Sequence, residues 1–251
     1  MKRLVLPLLA LLMVSGCSHR YYAEDLKSLS EADQGANTTV ADDGTVTFTQ
    51  GRLEISVRPM TDDELNRQFA DYSSEGADSR NPYTFGNSTY FRSGETPQRF
   101  TVFRVSVSNY EYPKVYLDPT KVFITTSNGR KYYSLTLDML EIYYRRYILG
   151  GSGGNAPGVD GIAYNVWNER DAILRRTLFA DEQLFSAQER VGYLVFKPLS
   201  MDVDKLSVHV SDVVIRFDYQ GDPAESVDIE MHFEREIGRI YPDGSRVASG
   251  S

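Results

Sequence analysis

At 251 residues, 41% of them hydrophobic, the chain is long enough for one large domain whose core needs no covalent staples. Its formal charge of −8 repels nucleic acid and anionic surfaces in general, so no nucleic-acid partner is expected; basic pairs such as Arg145-Arg146 and Arg175-Arg176 read as solvated helix faces. A single cysteine removes any internal disulfide.

The first residues have the layout of a cleavable secretory signal: Lys2 and Arg3 as a basic head, an apolar run over 4–14, then the small residues Ser15 and Gly16 before Cys17. The apolar run is too short to span a bilayer, which takes about 20 residues at the helical rise. Val14-Ser15-Gly16-Cys17 resembles the bacterial lipobox. The resemblance implies that a lipoprotein signal peptidase recognises Val14, Ser15 and Gly16, and that Cys17 becomes an acylated diacylglyceryl cysteine, the site of lipidation. Acylation accounts for a lone cysteine in an exported protein, and each buried methylene of the lipid contributes about 0.8 kcal/mol to anchoring. Ser18 rather than aspartate follows, which by resemblance to enterobacterial sorting implies the outer membrane, facing the periplasm or the cell surface. Without residues 1–16 the chain has 235 residues, and 25 Lys and Arg against 35 Asp and Glu give a formal charge of −10.

Residues 17–44 are expected to comprise the lipidated cysteine and a flexible tether, because the stretch is polar and poor in branched apolar residues. As a coil it would reach roughly 30 Å. The domain is expected over 45–243 and a disordered tail over 244–251. Period-two alternation predicts strands over 52–57, 103–108, 122–126, 131–135, 191–196, 206–210, 213–219 and 227–233. In the last of these Val227, Ile229, Met231 and Phe233 face one way, and Asp228, Glu230, His232 and Glu234 the other. Asn128-Gly129 between two strands predicts a hairpin turn carried by positive φ values. Thr61 with Glu64 has capping-box spacing and predicts a helix whose stripe is Leu65, Phe69 and Tyr72. Two further helices, within 136–149 and 162–178, are joined by a glycine-rich connector and form a helical hairpin inserted between strands over 136–178.

Short half-polar strands with intervening turns predict a mainly β fold, an antiparallel immunoglobulin-like β-sandwich with an inserted helical hairpin. The strand closing on Asn109, then Val115-Tyr116-Leu117-Asp118-Pro119, Asn128-Gly129, Tyr132 and the run from Glu189 and Gly192 to Phe196-Lys197-Pro198 resemble immunoglobulin-like domains of unknown function found in bacterial lipoproteins. The helical segment departs from that pattern.

Little in the sequence points to catalysis. Gly150-Gly151-Ser152-Gly153-Gly154 fits G-x-S-x-G as a string, which makes Ser152 the nucleophile of a hydrolase alternative, but that motif works on a strained strand-to-helix turn and here it follows a helix. The same glycines imitate a degraded dinucleotide fingerprint without the preceding strand, so no cofactor is expected. Beyond His19, the histidines are His209 and His232, both at polar positions of alternating strands; if those strands are neighbours, the two approach each other or Glu230. No metal-binding spacing occurs. Tyrosine, at 17 residues, is the most unusual feature, and Tyr143, Tyr144 and Tyr147 on the hairpin form a possible interaction surface for protein or for carbohydrate and peptidoglycan. The expectation is therefore a non-enzymatic lipoprotein, held to the membrane by its N-terminal lipid, that binds or scaffolds an envelope protein partner.

Overall fold

The computed structural model describes residues 19–74, 79–89, 97–149 and 161–249, and of 146–149 and 161–163 the backbone alone. Val14, Ser15, Gly16, Cys17 and Ser152 lie outside the described residues. The chain opens with β1 (Arg20–Ala23), β2 (Lys27–Ser28), β3 (Thr38–Val40), β4 (Val46–Gln50) and β5 (Leu53–Met60). Helices α1 (Asp62–Gln68) and α2 (Ala70–Ser73) precede β6 (Thr101–Asn109), β7 (Lys114–Tyr116), β8 (Val122–Thr126) and β9 (Lys131–Tyr133). The hairpin helices α3 (Leu137–Leu149) and α4 (Gly161–Thr177) follow. The remaining strands are β10 (Gln183–Phe185), β11 (Gln188–Phe196), β12 (Lys205–Phe217), β13 (Pro223–Glu234), β14 (Ile237–Ile240) and β15 (Arg246–Ala248).

Period-two alternation turns Leu53, Ile55 and Val57 of β5, and Val105 and Val107 of β6, onto one face of a five-stranded antiparallel sheet ordered β11-β6-β5-β4-β3. Val122 and Ile124 of β8, Leu206, Val208 and Val210 of β12, and Ile229, Met231 and Phe233 of β13 do the same on a second antiparallel sheet, ordered β10-β7-β12-β13-β2 with β8 beside β12. The two sets of side chains form one buried cluster, so the sheets share a core. The fold is thus mixed, dominated by antiparallel strands and loosely sandwich-like, and it departs from a closed immunoglobulin sandwich in its third sheet and its helical layer. That third sheet, β1-β14-β15, joins the two ends of the domain.

A second core lies on the far side of the five-stranded sheet, where Tyr193 and Val195 of β11 and Val102 of β6 meet Leu65 of α1, Leu140 and Tyr144 of α3, and Ile173 and Leu174 of α4. Because β11 is covered on both faces there, residues 193–196 read as a continuous apolar run, whereas its solvent-lapped start, Gln188 to Arg190, is polar. Gly192 permits this packing. A β-carbon at that position would lie 2.5 Å from the Phe179 Cα, where the chain leaving α4 forms a parallel bridge from Leu178 to Tyr193.

Four expectations change. The stretch expected as a tether holds β1, β2 and β3, all paired with the body of the domain. These strands are held by edge pairing rather than by burial of an alternating apolar face, so polar composition does not reveal them. The tail carries β15, paired with β14. In the β8–β9 hairpin only Gly129 takes positive φ, +82°, because the loop is a three-residue connection closed by Thr126 and Arg130 rather than a two-residue primed turn. The segments 206–210 and 213–219, expected as two strands, belong largely to the single strand β12; Asp212, at φ 54°, forms a bulge where its backbone N–H donates to Asp228 Oδ1 at 2.8 Å. The capping box at Thr61 and Glu64 forms as the spacing predicts.

Candidate functional site

A cleft of about 490 Å³ opens where the chain leaving β1 crosses the end of β5 and the start of α1. Tyr22, Met60, Val102 and Leu199 give it apolar walls, and Asp25 and Asp62 bring two carboxyl groups to it from different elements. Asp62 is half-buried, and burial, followed by the negative charges of Asp25 and Asp63, pushes its pKa up to about 7 against a weaker opposing pull from Arg99. Asp25 is also raised, through burial and then the charges of Asp63, Glu24 and Glu64, with Lys27 opposing. The cations around the cleft are already engaged. Arg235, buried, donates to the carbonyls of Val203 and Ser200 at 2.8 and 2.7 Å, and Arg246 donates to Glu24 at 2.8 Å. Asp62 therefore holds or releases a proton near neutral pH inside an amphipathic cleft whose lining contains no histidine or cysteine.

The two histidines do meet around Glu230. β12 runs between β8 and β13, with His209 opposite both Phe123 and Glu230, and Ser207 opposite both Thr125 and His232. His209 Nε2 lies 2.8 Å from the Thr125 hydroxyl and 3.8 Å from Glu230 Oε1. His232 Nδ1 lies 2.8 Å from the Ser207 hydroxyl and 3.9 Å from the same Glu230 oxygen. This superficially resembles a serine–histidine–carboxylate relay, but in each case one ring nitrogen serves both partners. A relay needs the hydroxyl and the carboxylate on opposite nitrogens. His209 also stacks on Phe123, with centroids 4.6 Å apart, and Lys131 Nζ sits 3.4 Å from the centre of that ring. Burial holds the His209 pKa below its ordinary value; Glu230 opposes this, while Lys131 and His232 add to it. Among the described residues, no group of three or more His, Cys, Asp or Glu could hold a metal ion.

The hairpin tyrosines divide. Tyr144 is buried, 2% exposed, with its hydroxyl donating to the Pro82 carbonyl and accepting from Arg99 Nη1 at 3.1 Å, while the Arg170 guanidinium lies 4.9 Å from its ring centre. It belongs to the packing and not to an interaction surface, a correction that follows from α3 turning this residue toward the sheet. Tyr143, half-buried, meets Phe100 and Tyr144 edge-on at 5.0 Å. The side chain of Tyr147 lies outside the described residues. Among the described residues, the large apolar groups that the hairpin does expose are Met139 and Ile142 of α3 and Tyr164 of α4, each about half accessible. Alternation and tyrosine content could not separate these from the buried set, because both helices carry apolar residues on more than one side.

The sequence carries no sign of the cleft, because Asp25 and Asp62 are two of 35 acidic residues with no distinguishing spacing. Their pairing exists only once the N-terminal strand has docked.

No family profile matches the chain, and no curated protein resembles it in sequence at a significant level. Among solved structures, the secreted protein MPT63 of Mycobacterium tuberculosis superposes with a TM-score of 0.29 and 8% identity, over 69% of this chain and 90% of that one. That similarity is too slight to assign a fold family or a function. Among the described residues no helix is long and apolar enough to cross a membrane.

Proposed function

We propose that this protein is a lipid-anchored, non-enzymatic binding module of the bacterial cell envelope, an immunoglobulin-like sandwich that presents its helical hairpin to an envelope protein partner. The observation that carries the anchor is a lone Cys17 directly behind a basic and apolar leader. Recognition through the hairpin is supported by Met139 and Ile142, two large apolar side chains one helical turn apart that remain half accessible on an insertion over a rigid sheet. His209 and His232 are engaged by the Thr125 and Ser207 hydroxyls in a geometry that does not relay a proton.

Two measurements test this reading. Labelled palmitate should enter the wild-type protein and not Cys17→Ala, and the label should track with membranes; equal labelling of the variant sinks the anchor. A photo-crosslinking residue placed at Ile142 should give a discrete adduct in intact cells that is missing when the same residue replaces Glu189. Absence of any adduct at Ile142 removes the hairpin from recognition.

A further inference from the structure

We infer that the outer face of the three-stranded sheet β1-β14-β15 lies against the phospholipid headgroups, so that the protein is seated on its membrane rather than suspended above it. The inference rests on the lipid anchor at Cys17 and assigns the orientation that the anchor imposes.

The sheet is assembled from the two ends of the domain. Arg20 pairs with Ile240 and that with Arg246; Tyr21 pairs with Arg239 and that with Val247; Tyr22 pairs with Gly238 and that with Ala248. Alternation then separates two faces. Tyr22, Gly238 and Ile240 belong to the inner one, where Tyr22 is buried and a β-carbon on Gly238 would lie 2.6 Å from its ring. The outer face carries Tyr21, Arg239 and Val247, joined by His19 and Tyr241. His19 lies 5.1 Å from the Tyr21 ring and 6.2 Å from that of Tyr241, and the Arg239 guanidinium lies 5.8 Å from the centre of Tyr21.

Three properties of this face point to lipid. Tyr21 and Val247 are 55% and 52% exposed, so apolar area is left open. No carboxylate occupies the face at 19, 21, 237, 239, 241 or 247, although the chain carries a net charge of −8. The nearby acidic groups turn elsewhere: Glu236 accepts from Tyr22, Glu24 from Arg246, and Asp243 from Ser245 within the β14–β15 turn. Tyrosines with arginine and histidine, amphipathic rings beside cations, suit the zone where acyl chains give way to phosphates. The third property is reach. Only Ser18 and His19 separate Cys17 from β1, and an extended chain spans at most about 3.6 Å per residue, so the acylated cysteine lies within roughly 10 Å of the Arg20 Cα. A coil of the length expected from composition would have allowed any orientation. This one allows few, and the face that continues from His19 and Tyr21 is the one the lipid brings down.

The test uses the full-length, lipidated protein. Because Cys17 is consumed by lipid, Val247→Cys can be labelled with an environment-sensitive dye, with Glu189→Cys, at the far end of the five-stranded sheet, as the comparison site. Both are reconstituted into vesicles of phosphatidylethanolamine and phosphatidylglycerol containing brominated acyl chains, and palmitate incorporation is measured on the same preparations. The orientation predicts strong quenching at 247 and none at 189, with quenching at 247 reduced several-fold by Arg239→Glu while palmitate incorporation stays unchanged. Full palmitate incorporation with equal quenching at the two sites would overturn the orientation and leave the anchor standing. A shielded but unquenched dye at 247 would also overturn it, by showing that protein or glycan covers the face. Loss of palmitate altogether would overturn the anchor and the orientation with it.

Discussion

The side-chain amide of Gln34 makes a two-point contact with the backbone of His232: its Nε2 donates to the His232 carbonyl at 2.8 Å, and its Oε1 accepts from the His232 N–H at 2.9 Å. One side chain thus imitates a strand along the open edge of β13, beyond the two residues that β2 pairs, and blunts an edge that would otherwise invite pairing with another chain. Replacing Gln34 with Ala removes both bonds and should cost about 1–2 kcal/mol. Urea unfolding gives the size of the effect, and amide exchange should place it, with the His232 N–H exchanging faster in the variant. Unchanged protection at His232 would contradict the contact.

This contact also shows where sequence reasoning stops. Strands that bury a regular apolar face announce themselves, as β5, β6 and the 227–233 stretch of β13 do, and so do local devices such as the Thr61 capping box. The segment from Arg20 to Ser28 is held instead by backbone pairing with residues about 200 positions away, β3 by pairing with its neighbour β4, and the stretch between them by polar side chains such as Gln34, all of which in sequence are indistinguishable from a solvated tether. The histidines were partly legible, since alternation placed both on polar faces, but the adjacency of β12 and β13 was needed to bring them around Glu230. The cleft was not legible, because its carboxyl pair is created by docking β1.

Asp62 should make the fold less stable as pH rises. With its folded pKa at about 7 and its ordinary value at 3.8, the folded state binds more protons than the unfolded state between those limits. By linkage, stability falls progressively from about pH 4 and the loss is complete above about pH 7. The full shift corresponds to about 4 kcal/mol, reduced to about 2 kcal/mol for a half-buried group that solvent still screens. Asp62→Asn is neutral throughout and should gain that amount over wild type at pH 8 while matching it near pH 4. Since other carboxylates, Asp43 and Glu64 among them, are lowered and act in the opposite sense, the decisive quantity is the difference between variant and wild-type urea midpoints across pH. A difference that does not change with pH would contradict the raised pKa.

Gly192 should tolerate no side chain. A β-carbon there would meet the Phe179 Cα at 2.5 Å and N at 2.6 Å, both backbone atoms that cannot rotate away. Gly192→Ala must push β11 off the segment leaving α4, breaking the bridge between Leu178 and Tyr193 and the bond from the Phe179 N–H to the Tyr193 carbonyl at 2.9 Å. Overpacking of this kind costs about 1–3 kcal/mol, and thermal unfolding should show a lowered midpoint. An unshifted midpoint would mean that the two backbones are not in contact.

The hairpin offers a way to separate packing from recognition. Tyr144→Phe leaves the ring in place but strips the Pro82 carbonyl and Arg99 Nη1 of their partner in a buried setting, which should cost about 1–3 kcal/mol. Among the described residues Arg99 Nε already has no hydrogen-bond partner, so this guanidinium has little else there to compensate with. Ile142→Glu lies on the exposed side of the same helix, where substitutions shift stability by about 0.5 kcal/mol or less. If the hairpin recognises a partner through its open apolar groups, Ile142→Glu should abolish an adduct formed from a photo-crosslinking residue at Met139 at unchanged urea midpoint. Tyr144→Phe should lower the midpoint and still give that adduct below its unfolding range. The reverse pattern, with the adduct lost in Tyr144→Phe and kept in Ile142→Glu, would return the tyrosine to the interface and take it out of the core.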